Sequence, residues 1–242
     1  MKAIYVEHMG TDSSVANNAR LSFADVAERY TEAQNNNLIR FLARGVTTKQ
    51  WDDAQMMVNC GIENPHEFLW QLKTTPTHWA PFSHPHITLR MAAPVPIRTQ
   101  SFKHKVGLSE SEESRRYIKT TPEIYIPEFR LAAENVKQGS SNELHPDHER
   151  MREEYIAQTT AAVAMYEDFI ARGVCPEQAR FLLPQGAIVN WVWTGSLYAY
   201  ANFYIQRSDS HAQKEVQELA ELVREIIEPL YPVAWRALTT GK

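Results

Sequence analysis

Lys103-His104-Lys105 is followed by Val106 and Gly107, then by Ser109-Glu110-Ser111-Glu112-Glu113-Ser114, and then by Arg115-Arg116-Tyr117. Cations, an imidazole, hydroxyls and carboxylates are thus concentrated in one short stretch. Arginine forks match phosphate oxygens, lysines add point charge, and Glu and Ser supply acceptors and a donor for a planar polar ring. The chemistry is that of holding an anion and orienting a heterocycle. The same residues also read as a solvated loop whose charges largely cancel.

Arg180 lies in the short segment between Pro176 and Pro184, on an otherwise apolar face. A buried arginine without an anion is costly, so it needs either an internal carboxylate or a bound ligand. His78 and His84 flank Pro81. They read as metal ligands or as parts of a rigid turn into a strand. No third ligand stands at a zinc-like spacing, so no metal is expected. Cys60 and Cys175 form no CxxC pair. Neither has a histidine or cationic cluster beside it in sequence, so neither reads as an activated thiolate.

Of the 242 residues 43% are hydrophobic, enough for a sizeable core, and the net charge of −4 argues against a dedicated nucleic-acid binder. No signal-peptide core and no apolar run of membrane-spanning length is present, and the chain reads as soluble and intracellular.

The elements that must position these residues follow from periodicity. Residues 3–7 alternate as a short strand, and Asp12-Ser13-Ser14 breaks the pattern. Residues 17–23 read as a polar turn into an apolar step. Residues 25–75 read as three helical pieces, at 37–44, at 48–59 and from Pro65. Residues 86–91 alternate as a half-buried strand, and Pro94 suits a helix start. On that helix Gln100 and Lys103 share a face. Residues 123–127 read as an edge strand and 137–147 as a loop. A long helix with Met151, Tyr155, Thr159, Ala162, Tyr166, Phe169 and Ile170 in one stripe ends at Gly173, facing core or a subunit interface. Residues 191–207 are apolar nearly all round, as in a buried helix, with Asn202 and Arg207 the polar exceptions. Ser210 with Gln213 reads as a capping box for a last helix carrying Val216, Leu219, Val223, Ile226 and Leu230.

Five segments, in order, resemble the flavin-dependent thymidylate synthases. Lys103-His104-Lys105 with Ser111 to Tyr117 is similar to the family's Arg-His-Arg, spacer, Ser signature, with Lys in both Arg positions. Asn17 to Phe23 resembles its Ala-Arg-Val-Ser-Phe segment. His78 to His84 resembles His-Glu-Thr-Pro-Phe-Glu-His, with Ala80 for Thr and Ser83 for the second Glu. Ala179-Arg180 with Leu183-Pro184 resembles Ala-Arg-x-x-Leu-Pro. Trp193 to Gln213 resembles the segment ending Arg-x-Asp-Ser-His-Ala-Gln, with Ser196 and Tyr198 in place of the family's Asn and Arg. The chain is identified as a divergent, phage-like member.

The resemblance implies a mixed α/β (α+β) fold with a mostly antiparallel central sheet and long helices, the whole chain 1–242 forming one domain, assembled as a homotetramer with shared sites. It implies methylation of dUMP to dTMP, with the carbon from methylenetetrahydrofolate and a hydride from FAD reduced by NADPH, in the cytoplasm (the host's, for a phage-encoded chain). It places Gln100, Lys103, Glu112, Ser114, Arg115, Arg116, Arg180 and Arg207 on the nucleotide. Arg207 acts on uracil ionisation and Ser114 sits near the base. It places Ser22, His78, Lys103, His104, Lys105, Glu112, Ser196, Tyr198 and Asn202 on the flavin, Tyr198 as a stacking partner for adenine. No nucleic-acid polymer or membrane partner is implied. Two other readings remain: a homologue that binds flavin or nucleotide without this turnover or modifies the pyrimidine differently, and a non-enzymatic helical interaction protein.

Overall fold

The computed structural model describes residues 1–23, 30–44, 52–53, 56–57, 59–61, 78–133 and 140–240. Its centre is an antiparallel four-stranded sheet in the order β1, β2, β6, β3. These strands are β1 (Lys2–Met9), β2 (His86–Pro94), β3 (Leu108–Glu112) and β6 (Ile188–Ser196). Leu89 of β2 sits opposite Trp193 of β6, and Trp193 sits opposite Glu110 of β3. A separate hairpin pairs β4 (Arg130–Ala132) with β5 (Ser140–Leu144).

The α-helices that can be bounded among the described residues are α1 (Asp12–Arg20), α2 (Glu32–Arg44), α3 (Val95–Ser101), α4 (His148–Ala171), the one-turn α5 (Pro176–Ala179), α6 (Leu197–Arg207), α7 (Lys214–Leu230) and α8 (Pro232–Thr239). Ile87, Leu89 and Met91 from β2 and Trp191 and Trp193 from β6 point to one face of the sheet. There they meet Tyr200 and Phe203 of α6, Val216, Leu219, Val223 and Ile227 of α7, and Trp235 of α8. The α7 residues recur every three or four positions, which aligns them along one side of the helix. Tyr200 donates its hydroxyl to the Trp193 carbonyl at 2.8 Å, tying α6 to β6. The fold is mixed α+β with an antiparallel sheet, as the resemblance implied.

The differences from the sequence reading are local. Residues 191–207 are two elements, a strand and then a helix. Trp191, Trp193 and Gly195 are buried while Asn190, Val192 and Thr194 are not, so the strand period operates up to Ser196. The strand pattern does end before Asp12, and Asp12 to Ser14 opens α1; residues 17–20, expected as a polar turn, continue that helix. The helix expected from residue 37 begins at Glu32. The expected strand at 123–127 is a single bridge between Ile124 and Ala187. The expected loop at 137–147 contains β5. Ser210 does not cap the next helix. Its N-cap is Gln213, and Ser210 lies in the turn before it. The helix from Pro65 lies outside the described residues, and that at 48–59 lies mostly outside them.

Candidate active site

α6 ends at Arg207, and that end meets the turn following α3. Arg207 Nε donates to His104 Nε2 at 2.8 Å, and Nη2 donates to the Gln100 carbonyl oxygen at 3.3 Å. The Gln100 side chain reaches across to Gln213, with Nε2 donating to Oε1 at 2.6 Å. Four residues separated by up to 113 positions thus form one polar cluster. The His104 ring stands edge-on to Phe203, 5.1 Å between centroids. Burial, reinforced by the Arg207 charge, lowers the His104 pKa to about 4, so its ring is neutral and accepts from Arg207. Burial lowers the Arg207 pKa as well, yet a guanidinium stays charged at neutral pH. A cation fixed through two of its five N–H donors is suited to stabilising, with the others, charge that develops on a ligand.

A second group lines a cleft of about 220 Å³ between α3, the end of β3 and the Arg180 turn. Arg98, Glu112, Ser114, Arg115 and Arg180 all face it. Arg98 Nε lies 3.0 Å from Glu112 Oε2. Burial raises the Glu112 pKa, with Arg98 opposing and Glu113 adding to the rise. Arg116 pairs with Glu177 at 3.0 Å, and its backbone N–H bonds Ser114 Oγ at 3.3 Å. Arg115 donates to the Thr120 carbonyl. The expectation of a buried, apolar setting for Arg180 fails. It is exposed, and its Nε donates to the Glu177 carbonyl at 3.2 Å, because the Arg180–Leu182 turn stands proud of the fold.

Of the residues expected on the flavin, Ser22 and His78 line a cleft of about 970 Å³ bounded by α1, α2 and the His78–His84 segment, and the others lie outside its walls. Ser22, Phe23, Phe41, His78 and Trp79 line it together with the amides of Asn18, Gln34 and Asn37. His78 stacks on Phe41 at 5.9 Å. Trp79 faces Tyr198 of α6 at 6.4 Å, which links this cleft to the start of α6. Lys103 is exposed. Lys105 pairs with Glu110 and sits 5.3 Å over the Phe102 ring, as Arg98 also does. Asn202 is half-buried on α6. Ser196 is buried, and its hydroxyl caps α6 by accepting from the Ala199 N–H at 3.2 Å. Among the described residues no three His, Cys, Asp or Glu side chains form a metal-binding group.

The family model described as "Thymidylate synthase complementing protein" matches residues 5–233. The chain belongs to that family. Flavin-dependent thymidylate synthases of Kosmotoga olearia and Thermosipho africanus are 33% and 29% identical to it, over 66% of this chain and 70% and 71% of theirs. The one from Thermotoga neapolitana is 27% identical over 96% of this chain and 88% of its own. The crystal structure of a UMP/dUMP methylase from Streptomyces cacaoi bound with 5-Br dUMP superposes with a TM-score of 0.77 at 22% identity, covering 99% of this chain and 94% of that one. That likeness shows a shared fold.

Sequence reasoning gave no role to Arg98, and read Gln213 only as a helix-capping residue and not as part of the site. Arg98 pairs with Glu112 across the smaller cleft, and Gln213 receives Gln100. Gln213 belongs to the quoted Asp-Ser-His-Ala-Gln segment, so its position was visible and its partner was not. The residues fit a flavin. The larger cleft has the size of small-molecule sites, aromatic walls for a planar ring, and amides for a polar edge.

Proposed function

We propose that this chain converts dUMP to dTMP as a flavin-dependent thymidylate synthase, with FAD as its flavin. The observation that carries the reading is Arg207 held between His104 and Gln100 in a member of this family. In this reading Gln100, Lys103, Glu112, Ser114, Arg115, Arg116 and Arg180 bind the nucleotide. The cations take its phosphate, and Arg116 exchanges the exposed Glu177 carboxylate for it. Arg207 faces the uracil. Its charge stabilises negative charge at N3 and the adjoining carbonyl, which makes C5 more nucleophilic without a cysteine. Ser114 positions the base and forms no covalent bond.

Ser22, His78, Lys103, His104, Lys105, Glu112, Ser196, Tyr198 and Asn202 surround the flavin, the Ser196 hydroxyl being already engaged as a helix cap. When bound and reduced by NADPH, the flavin supplies the hydride that completes the methyl group begun by the methylene of methylenetetrahydrofolate. The chain acts as one domain over 1–242, in the cytoplasm, and assembles as a homotetramer. Ile4, half exposed beside Arg90 and Val192 on the face of the sheet turned from the core, suits burial against another copy.

The test is an absorbance titration of the purified protein with FAD and then with dUMP. A bound-flavin spectrum that dUMP perturbs to saturation is expected. A flavin spectrum indifferent to dUMP, or no flavin binding, overturns the reading.

A further inference from the structure

Gln100 does not end the polar cluster around Arg207, because Gln213 continues it inward. Gln213 Nε2 donates to Glu215 Oε2 at 2.8 Å, and Glu215 Oε1 accepts from Arg130 Nη2 at 2.6 Å. The Arg130 and Glu215 side chains are only 6% and 7% exposed, so this ion pair is the buried anchor that joins the β4–β5 hairpin to the first turn of α7. Glu128, 3.7 Å from Arg130, is the outer carboxylate on the same arginine.

Each link fixes the polarity of the next. An ionised carboxylate only accepts hydrogen bonds. Burial opposes ionisation of Glu215, but bonds from its own N–H, Gln213 and Arg130 outweigh it and hold its pKa low. Gln213 must therefore turn its NH2 to Glu215 and its carbonyl oxygen outward. Gln100 must then turn its own NH2 to Gln213, as it does. Among the described residues the Gln100 side-chain carbonyl oxygen has no partner.

We infer that Arg130, Glu215 and Gln213 form a polarity relay that orients the Gln100 amide to present its oxygen, making Gln100 a detector of a hydrogen-bond donor on the nucleotide. This rests on the reading of Gln100 as a nucleotide-binding residue. Arg130, Glu215 and Gln213 are positioning residues. The donor is an N–H or an O–H of the ligand, which on dUMP is the ring N3–H or the ribose 3′-hydroxyl. An amide without the relay can turn over and accept or donate equally well, so the relay sets selectivity more than affinity.

The isosteric substitution Glu215→Gln tests this. Its amide oxygen is taken by Arg130, so its NH2 faces Gln213. Gln213 and then Gln100 must invert, and Gln100 offers NH2 in place of oxygen. Dissociation constants are measured by calorimetry for dUMP, its N3-methyl analogue and 2′,3′-dideoxyuridine monophosphate, on the FAD-loaded wild type and the variant. The wild type is expected to bind one analogue about tenfold or more weakly than dUMP, the size of a mismatched hydrogen bond. That analogue identifies the donor. In Glu215→Gln the same ratio is expected to fall to about one, with dUMP itself weakened, while the other ratio stays as in the wild type.

A folded Glu215→Gln protein with both ratios unchanged overturns the relay, as does a wild type that penalises neither analogue. Gln213→Met cuts the relay and leaves the Arg130–Glu215 pair intact, so it decides the matter where Glu215→Gln does not fold. A reduced ratio supports the relay, and an unchanged one overturns it. A wild type that binds no dUMP at all overturns the nucleotide reading itself, a separate and recognisable result.

Discussion

His104 accepts from Arg207 through Nε2, and that bond exists only while the ring is neutral. Burial and the neighbouring Arg207 push its pKa from the usual 6.5 down to about 4. Between those values the unfolded chain binds a proton that the folded chain refuses. Stability from this residue is therefore complete above about pH 6.5 and is lost as the pH falls toward 4. Thermal unfolding followed across that window is expected to show the wild type losing more stability than His104→Gln. Parallel curves would contradict the assignment. Arg207→Lys keeps a charge but loses the fork that binds His104 and Gln100 together. It is expected to lower kcat by roughly 10²-fold, the size of losing one oriented charge-stabilising donor, with a smaller change in KM. Steady-state kinetics with dUMP separate the two effects. Arg207 was legible in the sequence as a polar exception in an apolar stretch. Gln213 as its indirect neighbour was not, because the contact joins α3 to the start of α7 and depends on a register no local pattern encodes.

Ser196 and Gly107 act through the elements they shape. Ser196 caps α6, whose far end carries Arg207. Ser196→Ala is expected to cost about 1 kcal/mol of stability through the lost cap, read as a lower Tm. Since Ser196 is also placed beside the flavin, Ser196→Ala is expected to weaken FAD binding as well, measured by flavin titration, and an unchanged dissociation constant would limit Ser196 to its role as a cap. Gly107 has φ +75°, and a Cβ there would come within 3.0 Å of the Ala199 Cβ and 3.3 Å of Ser196 Oγ. It lets the 103–107 segment turn tightly against α6. Gly107→Ala is expected to destabilise the protein by about 2 kcal/mol and to weaken FAD binding, measured by unfolding and by flavin titration. α7 was legible because it keeps one helical period over its length, and β2 because His86 to Met91 alternates cleanly; Ala92 to Pro94, all buried, extend that strand without the alternation. Residues 191–207 were not, since Trp191-Val192-Trp193 satisfies both a buried helix and a buried strand, and only the pairing with β2 and β3 decides. The β4–β5 hairpin was hidden for a different reason: β4 has only three residues and β5 is mostly polar, so neither carries an alternating pattern, and their pairing and the Arg130–Glu215 contact are both non-local.

Across the whole molecule the sheet does the assembling. α3 leaves the Pro94 end of β2 and α6 leaves the opposite end of the sheet at Ser196, but residues 95–107 run back to the Ser196 end before entering β3, so Gln100, His104 and Arg207 converge. Of the five sequence segments, 100–117 and 193–213 meet in that cluster, 17–23 and 78–84 line the larger cleft, and 179–184 borders the smaller one. The measurement that tests the central claim most directly is formation of dTMP by the purified protein from dUMP and methylenetetrahydrofolate with NADPH, with and without FAD. The account expects dTMP only when FAD is present, and none from Arg207→Ala beyond a small residue of the wild-type rate. No dTMP from folded wild-type protein that holds FAD, or dTMP formed equally well without any flavin, would contradict it.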